Sequence, residues 1–213
     1  MLVGIETTPK KAFASALDWP GWSRAGKDPE LALAALADAA PRYARVAELA
    51  KIAFEAAADA PAFEVVEQTE GTATTAFGAP DVRFEADRRS TSGADGDRLA
   101  ALLQAAWKTF DRTVAAAPAE LRKGPRGGGR DRDKIVEHVH GADLGYAQVM
   151  GLKPREYASH DDLRAAILAV IRAPSDGEAI AGRKWPVRYA ARRLAWHALD
   201  HAWEIEDRSP TDG

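Results

Sequence analysis

Leu194-Ala195-Trp196-His197-Ala198-Leu199-Asp200-His201-Ala202-Trp203-Glu204-Ile205 is the stretch on which the reading of this chain turns. It carries helix-favouring residues with no proline or glycine, and its two histidines are four positions apart. On a helix that spacing sets them about 40° apart and one turn along the axis. Glu204 and Arg208 continue the same stripe. Leu194, Ala198 and Ile205 lie on one side of it, Trp196 and Trp203 on the other, and Arg192 and Glu206 near the opposite face. A polar stripe flanked on both sides by apolar residues points inward rather than to water.

Working outward, the preceding hundred residues show helical periodicity. Leu99, Leu102, Leu103, Ala106, Phe110 and Val114 predict a first helix. A glycine- and arginine-rich loop, Arg122 to Arg132, leads to a second from about Asp131 to Met150. Ser159 with Asp162 resembles a capping box and opens a third through Ile171. Trp185-Pro186 opens the last, to about Asp207. Four helices of this length fit an antiparallel four-helix bundle over residues 91–213.

Residues 1–90 read differently. Leu2 to Ile5 and Lys11 to Leu17 predict strands around a Thr8-Pro9-Lys10 turn. Asp18 to Trp22 has turn chemistry, and Asp28 caps a helix with Pro29 at its first position, running to about Phe54 and ended by Ala60-Pro61. Phe63 to Glu67 and Val82 to Glu85 predict further strands, paired mainly antiparallel, and Ser90 to Asp97 reads as a linker. The fold class is therefore α+β: a small domain with an antiparallel sheet, then the bundle.

Composition narrows the function. Charged residues make up 29% but the net charge is only −3, which predicts no nucleic-acid or anionic-membrane partner. No apolar run is long enough for a membrane helix, and Met1 to Lys11 lacks a signal-peptide pattern, so a cytoplasmic location is expected. Cysteine is absent, so any thiol chemistry needs a thiol from outside.

The second helix supplies a further histidine. Ile135, Ala142, Tyr146 and Val149 share the side of His138, whereas His140 projects nearly opposite. His138, His197 and His201 thus make a three-nitrogen set with coordination positions left open, the pattern of a catalytic metal site. A histidine pair at this spacing also fits a hydrogen-bonded pair, and His138 alone also fits a satisfied core histidine. His160, at a helix start, needs no ligand role. Glu204 is a candidate catalytic acid or base or a partner of the histidines, and equally a salt-bridge partner of Arg208. Asp200 is a weaker supporting candidate. The stretch Lys123 to Arg132 reads as a lid for an anionic substrate or as a solvated loop, and Trp19 and Trp22 as a recognition surface or as packing for the helix after Asp28. No serine lies in a nucleophile-elbow context.

Ile135-Val136-Glu137-His138-Val139, followed some sixty residues later by His197 to Ile205, resembles the DinB/YfiT-like metalloenzyme family over about Asp95 to Arg208. The resemblance implies a four-helix bundle with one metal histidine on its second helix and a pair on its last. It implies a divalent metal (zinc first, nickel or iron also) and a small-molecule substrate. Relatives include bacillithiol S-transferases and mycothiol-dependent maleylpyruvate isomerase, so a low-molecular-weight thiol is an implied partner; hydrolysis is the other enzymatic version. Where members often carry Trp eight residues before the second-helix histidine, this chain has Arg130. Ala12 to Trp22, with Gly26 and Asp28 to Leu33, is similar to HicB-like domains, a likeness of fold over about 35 residues with no DNA-binding segment following. The competing class is non-catalytic: histidines kept for structure, with the N-terminal unit serving homodimerisation or partner binding.

Overall fold

A computed structural model describes residues 1–55, 63–124 and 128–210. The first unit holds a sheet of β1 (Leu2–Thr8), β2 (Lys11–Ala16), β3 (Ser23–Gly26) and β4 (Glu64–Glu70), in the order β3-β2-β1-β4. β1 pairs antiparallel with β2, and β2 with β3, but β1 and β4 run parallel, so the expected antiparallel sheet is mixed. The cause is the connection. Between β3 and β4 the chain runs through α1 (Pro29–Asp38) and α2 (Ala40–Leu49), a crossover that returns β4 in the direction of β1, as helical connections do.

The single helix expected from Pro29 to Phe54 is two. Pro41 sits in the first turn of α2; a proline there has no N–H to give and would clash with a carbonyl one turn back in a continuous helix. Lys51, in the left-handed region at φ 58°, follows the end of α2. Ala60-Pro61 lies outside the described residues. Val82 to Glu85 is not a strand. The N–H groups of Asp81 and Val82 donate to the buried Glu6 carboxylate at 3.0 and 3.1 Å, and that of Phe84 to Asp87. Those groups are spent on side chains rather than on a ladder, and a 3₁₀ turn follows over Glu85–Arg88. The sequence reading also missed β3 and the short α3 (Ala73–Phe77), which Thr72 caps.

Alternate residues of β1 and β2 serve two interiors. Val3, Ile5, Ala12 and Ala14 share a buried cluster with Trp22, Leu36 and Tyr43. On the other side Phe13 meets the ring of Trp196 edge-on at 6.0 Å. Trp22 stacks on Tyr43 at 5.3 Å and donates its indole N–H to the Leu36 carbonyl, while Trp19 packs edge-on against Tyr43 and Phe54. The two tryptophans are therefore packing elements of the α1–α2 side.

The second half comprises α4 (Gly93–Ala116), α5 (Arg132–Val149), α6 (His160–Arg172) and α7 (Val187–Arg208). α7 packs on α4, α5 and α6, and α6 also on α4 and α5. The segment read as a linker is mostly helix: Ser92 and Asp95 form a reciprocal cap that starts α4 at Gly93. Thr91 forms a bridge with Ser175. Gly96 lets α4 approach α6, since a Cβ there would stand 2.4 Å from the Arg172 carbonyl oxygen. α7 is buried almost without a break from Tyr189 to Leu199. Its face opposite the histidines is covered by the first unit, where Arg192 pairs with Asp87 inside the protein. No helix among the described residues is long and apolar enough to cross a membrane.

Candidate metal centre

α5 and α7 lie against each other, and their facing turns bring His138, His197 and His201 together. The candidate ligand atoms of the three all lie within 4.8 Å of one another. Ring centroids stand 5.0 Å apart for His138–His197, 4.9 Å for His138–His201 and 4.8 Å for His197–His201, each pair steeply inclined. The Nε2 atoms of His138 and His197 are 3.1 Å apart. Two ligands at about 2.0–2.1 Å from one tetrahedral zinc ion stand only slightly further apart, at about 3.3 Å. The donor set is thus three imidazole nitrogens grouped closely enough to be candidates for holding one metal ion.

The hydrogen positions fit as well. Nδ1 of His201 lies 2.8 Å from Glu204 Oε2, while Arg208 Nη1 donates to Glu204 Oε1 at 2.7 Å. The hydrogen bond from His201 and the Arg208 charge hold the Glu204 carboxyl below its usual range. An ionised carboxylate only accepts hydrogen bonds, so the proton of a neutral His201 sits on Nδ1 and the Nε2 lone pair is free for a metal. His197 is 6% exposed. Burial, reinforced by His201 and His138, pushes its pKa down to about 2, which keeps it in the neutral form that coordination requires. Burial also lowers His138. Nδ1 of His197 is buried with no hydrogen-bond partner among the described residues, whereas His201 has a carboxylate behind it.

Around the rings, Tyr146 meets His197 edge-on at 5.7 Å and leans on Trp185 at 5.3 Å, which walls one side with aromatic surface. Arg193, one turn before His197, lies over the rings of Trp196 and Tyr146 at 5.0 and 5.7 Å. The sequence reading passed over Arg193, although its position four residues before His197 marks it as part of the stripe. Arg130 is exposed, and its charge reaches His138 and His197. Of the Arg122–Arg132 loop, residues 125–127 lie outside the described residues; Lys123 pairs with Asp131 at 2.6 Å.

Asp200 pairs with Arg24 of β3 at 3.3 Å. His140 lies apart from the three, as its helical position implies, and stacks on His160 with centroids 3.9 Å apart. His160 in turn contacts the buried Asp143 at 3.1 Å, beside Arg164. Glu204, expected as a catalytic acid or base, a partner of the histidines or a salt-bridge partner of Arg208, contacts both His201 and Arg208.

No family model, no curated protein and no solved structure matches this chain.

Proposed function

We propose that this chain is a divalent-metal-dependent enzyme whose ion is held by His138, His197 and His201, in a four-helix bundle of the DinB/YfiT-like type with a HicB-like unit before it. The observation that carries the reading is the convergence of three imidazoles from two helices, all candidate ligand atoms within 4.8 Å. Nitrogen ligands of this kind suit zinc first, and nickel or iron as well. When bound, the ion supplies Lewis acidity at the positions that three protein ligands leave open.

The chain's own residues do the rest. His197 stays neutral because it is buried, and Tyr146 and Trp185 screen it from water on one side. Glu204 holds the Nδ1 proton of His201. Both its oxygens are engaged, by His201 and by Arg208, which favours this orienting role over that of a general acid or base. A protein without cysteine brings no thiol of its own, so an S-transferase or isomerase reaction of the mycothiol type would draw on a low-molecular-weight thiol; a hydrolase is the other version.

The test is elemental analysis of protein purified without a histidine tag. Near-stoichiometric metal that disappears in His197→Ala/His201→Ala is expected, and a metal-free native protein defeats the reading. Turnover with and without added thiol then separates transferase from hydrolase. One observation favours a structural alternative: the 3.1 Å contact between His138 and His197 is also a good N–H···N hydrogen bond. That alternative leaves the third ring, already supplied with Glu204, without a reason to face the other two.

A further inference from the structure

The polar stripe of α7 does not stop at the histidines. Behind His201 stands Glu204, and behind Glu204 stands Arg208, whose side chain is 16% exposed. Arg208 is itself fixed from the far side. Its Nε donates to the Arg122 carbonyl at 2.9 Å, and the Arg122 N–H donates back to the Arg208 carbonyl at 2.8 Å. Its Nη2 is buried and has no hydrogen-bond partner. The reason is next to it: Gly129 lies so close that a Cβ there would stand 2.6 Å from Nη2 and 2.9 Å from the guanidinium carbon. Gly129 also holds φ at +120°, a conformation that side-chain-bearing residues avoid. The guanidinium is therefore wedged between backbone at both ends of the 122–129 stretch, and one nitrogen is left to aim at Glu204.

We propose that Arg208, seated against Gly129 and locked to Arg122, is a positioning residue that holds Glu204 on His201 and so sets the metal affinity of the three-histidine site. This rests on the metal reading above. A carboxylate behind a ligating imidazole fixes the tautomer, the ring angle and the basicity of the ligand, and loss of such support costs roughly 10- to 100-fold in affinity. Arg208 supplies what Glu204 needs for that task. It fixes the carboxylate plane by occupying the oxygen that His201 does not use. Lysine is a poorer substitute, because one ammonium point charge cannot hold the Arg122 carbonyl and Glu204 in the same fork geometry.

The experiment measures Zn²⁺ affinity by chelator competition, and Co²⁺ absorption as a second signal, on the full chain. Wild type and the variants His201→Ala, Arg208→Met, Arg208→Lys and Glu204→Ala are compared. Arg208→Met is expected to weaken binding about 10- to 100-fold, with Arg208→Lys between it and wild type. In a Glu204→Ala background, Arg208→Met should add almost nothing, because the link through which it acts is gone. Wild-type affinity in Arg208→Met, with His201→Ala still defective, overturns the proposal and leaves the metal site standing. An equal loss with and without Glu204 also overturns it, since Arg208 would then act through the fold. Failure of wild type to bind either ion removes both readings at once. Should Arg208→Met not fold, Gly129→Ala keeps the charge but drives the guanidinium off Glu204, and the same weakening is expected.

Discussion

Arg192 sets both arms of its guanidinium on Asp87, Nε 2.9 Å from Oδ1 and Nη2 2.6 Å from Oδ2, with both side chains sealed from water. The pair joins the histidine helix to the 3₁₀ turn of the first unit. Removing one partner of such a pair strands a buried charge, so Asp87→Ala should lose about 3–5 kcal/mol. Asp87→Ala combined with Arg192→Met should recover much of that loss, since the stranded charge goes too. Urea unfolding measures both; a single variant within 1 kcal/mol of wild type would show that the pair does not hold the halves together.

Metal-free protein should lose stability on mild acidification. His197 titrates near 2 when folded and near 6.5 when unfolded, so the unfolded chain takes up the proton first. Its contribution is whole above pH 6.5 and falls away as the pH drops toward 2. Between pH 7.5 and 5 the loss from this one residue is about 2 kcal/mol. His138, also lowered by burial, adds in the same direction. Denaturant melts of metal-stripped wild type and His197→Gln at the two pH values check this. Equal losses in both proteins would contradict a neutral buried imidazole.

At Gly96, α4 comes close to the end of α6. A Cβ there meets the backbone of Arg172 rather than a movable side chain, so Gly96→Ala should destabilise by about 1–3 kcal/mol although alanine is the better helix former. Thermal unfolding reads the sign directly, and a stabilised variant would mean the helices part without cost.

His140 stacks on His160, which is bound to Asp143, and both stand outside the three-histidine group. His140→Asn and His160→Asn should each retain the metal stoichiometry of wild type, in contrast to His197→Ala. A halved metal content in either would assign these rings a ligand role that their geometry denies.

The candidate centre was legible because helical spacing is a strong constraint. A pair four residues apart with apolar flanks has one plausible direction, and the side-sharing of His138 with Ile135 and Tyr146 separated it from His140. What escaped was set by partners far away in sequence. Val82 to Glu85 has strand-like composition, yet the carboxylates of Glu6, Asp87 and Glu67 claim the N–H groups of Val82, Phe84 and Glu85. β4 joins the sheet parallel to β1 only because two helices intervene, and nothing in Glu64–Glu70 itself states that direction. Two misses were local and avoidable. Pro41 marks the break between α1 and α2, and Ser92 with Asp95 is the same capping signature that identified Ser159 with Asp162.

α7 is the most enclosed helix, yet it follows nearly everything it supports. During synthesis the face of the sheet that carries Phe13, the buried Asp87 and the inner surfaces of α4 and α5 must all wait, uncovered, until residues 187–208 leave the ribosome. A nascent chain whose keystone follows the elements it covers exposes sticky surface until α7 emerges, so translation arrest before that point should yield chaperone-bound, protease-sensitive intermediates rather than a folded first half.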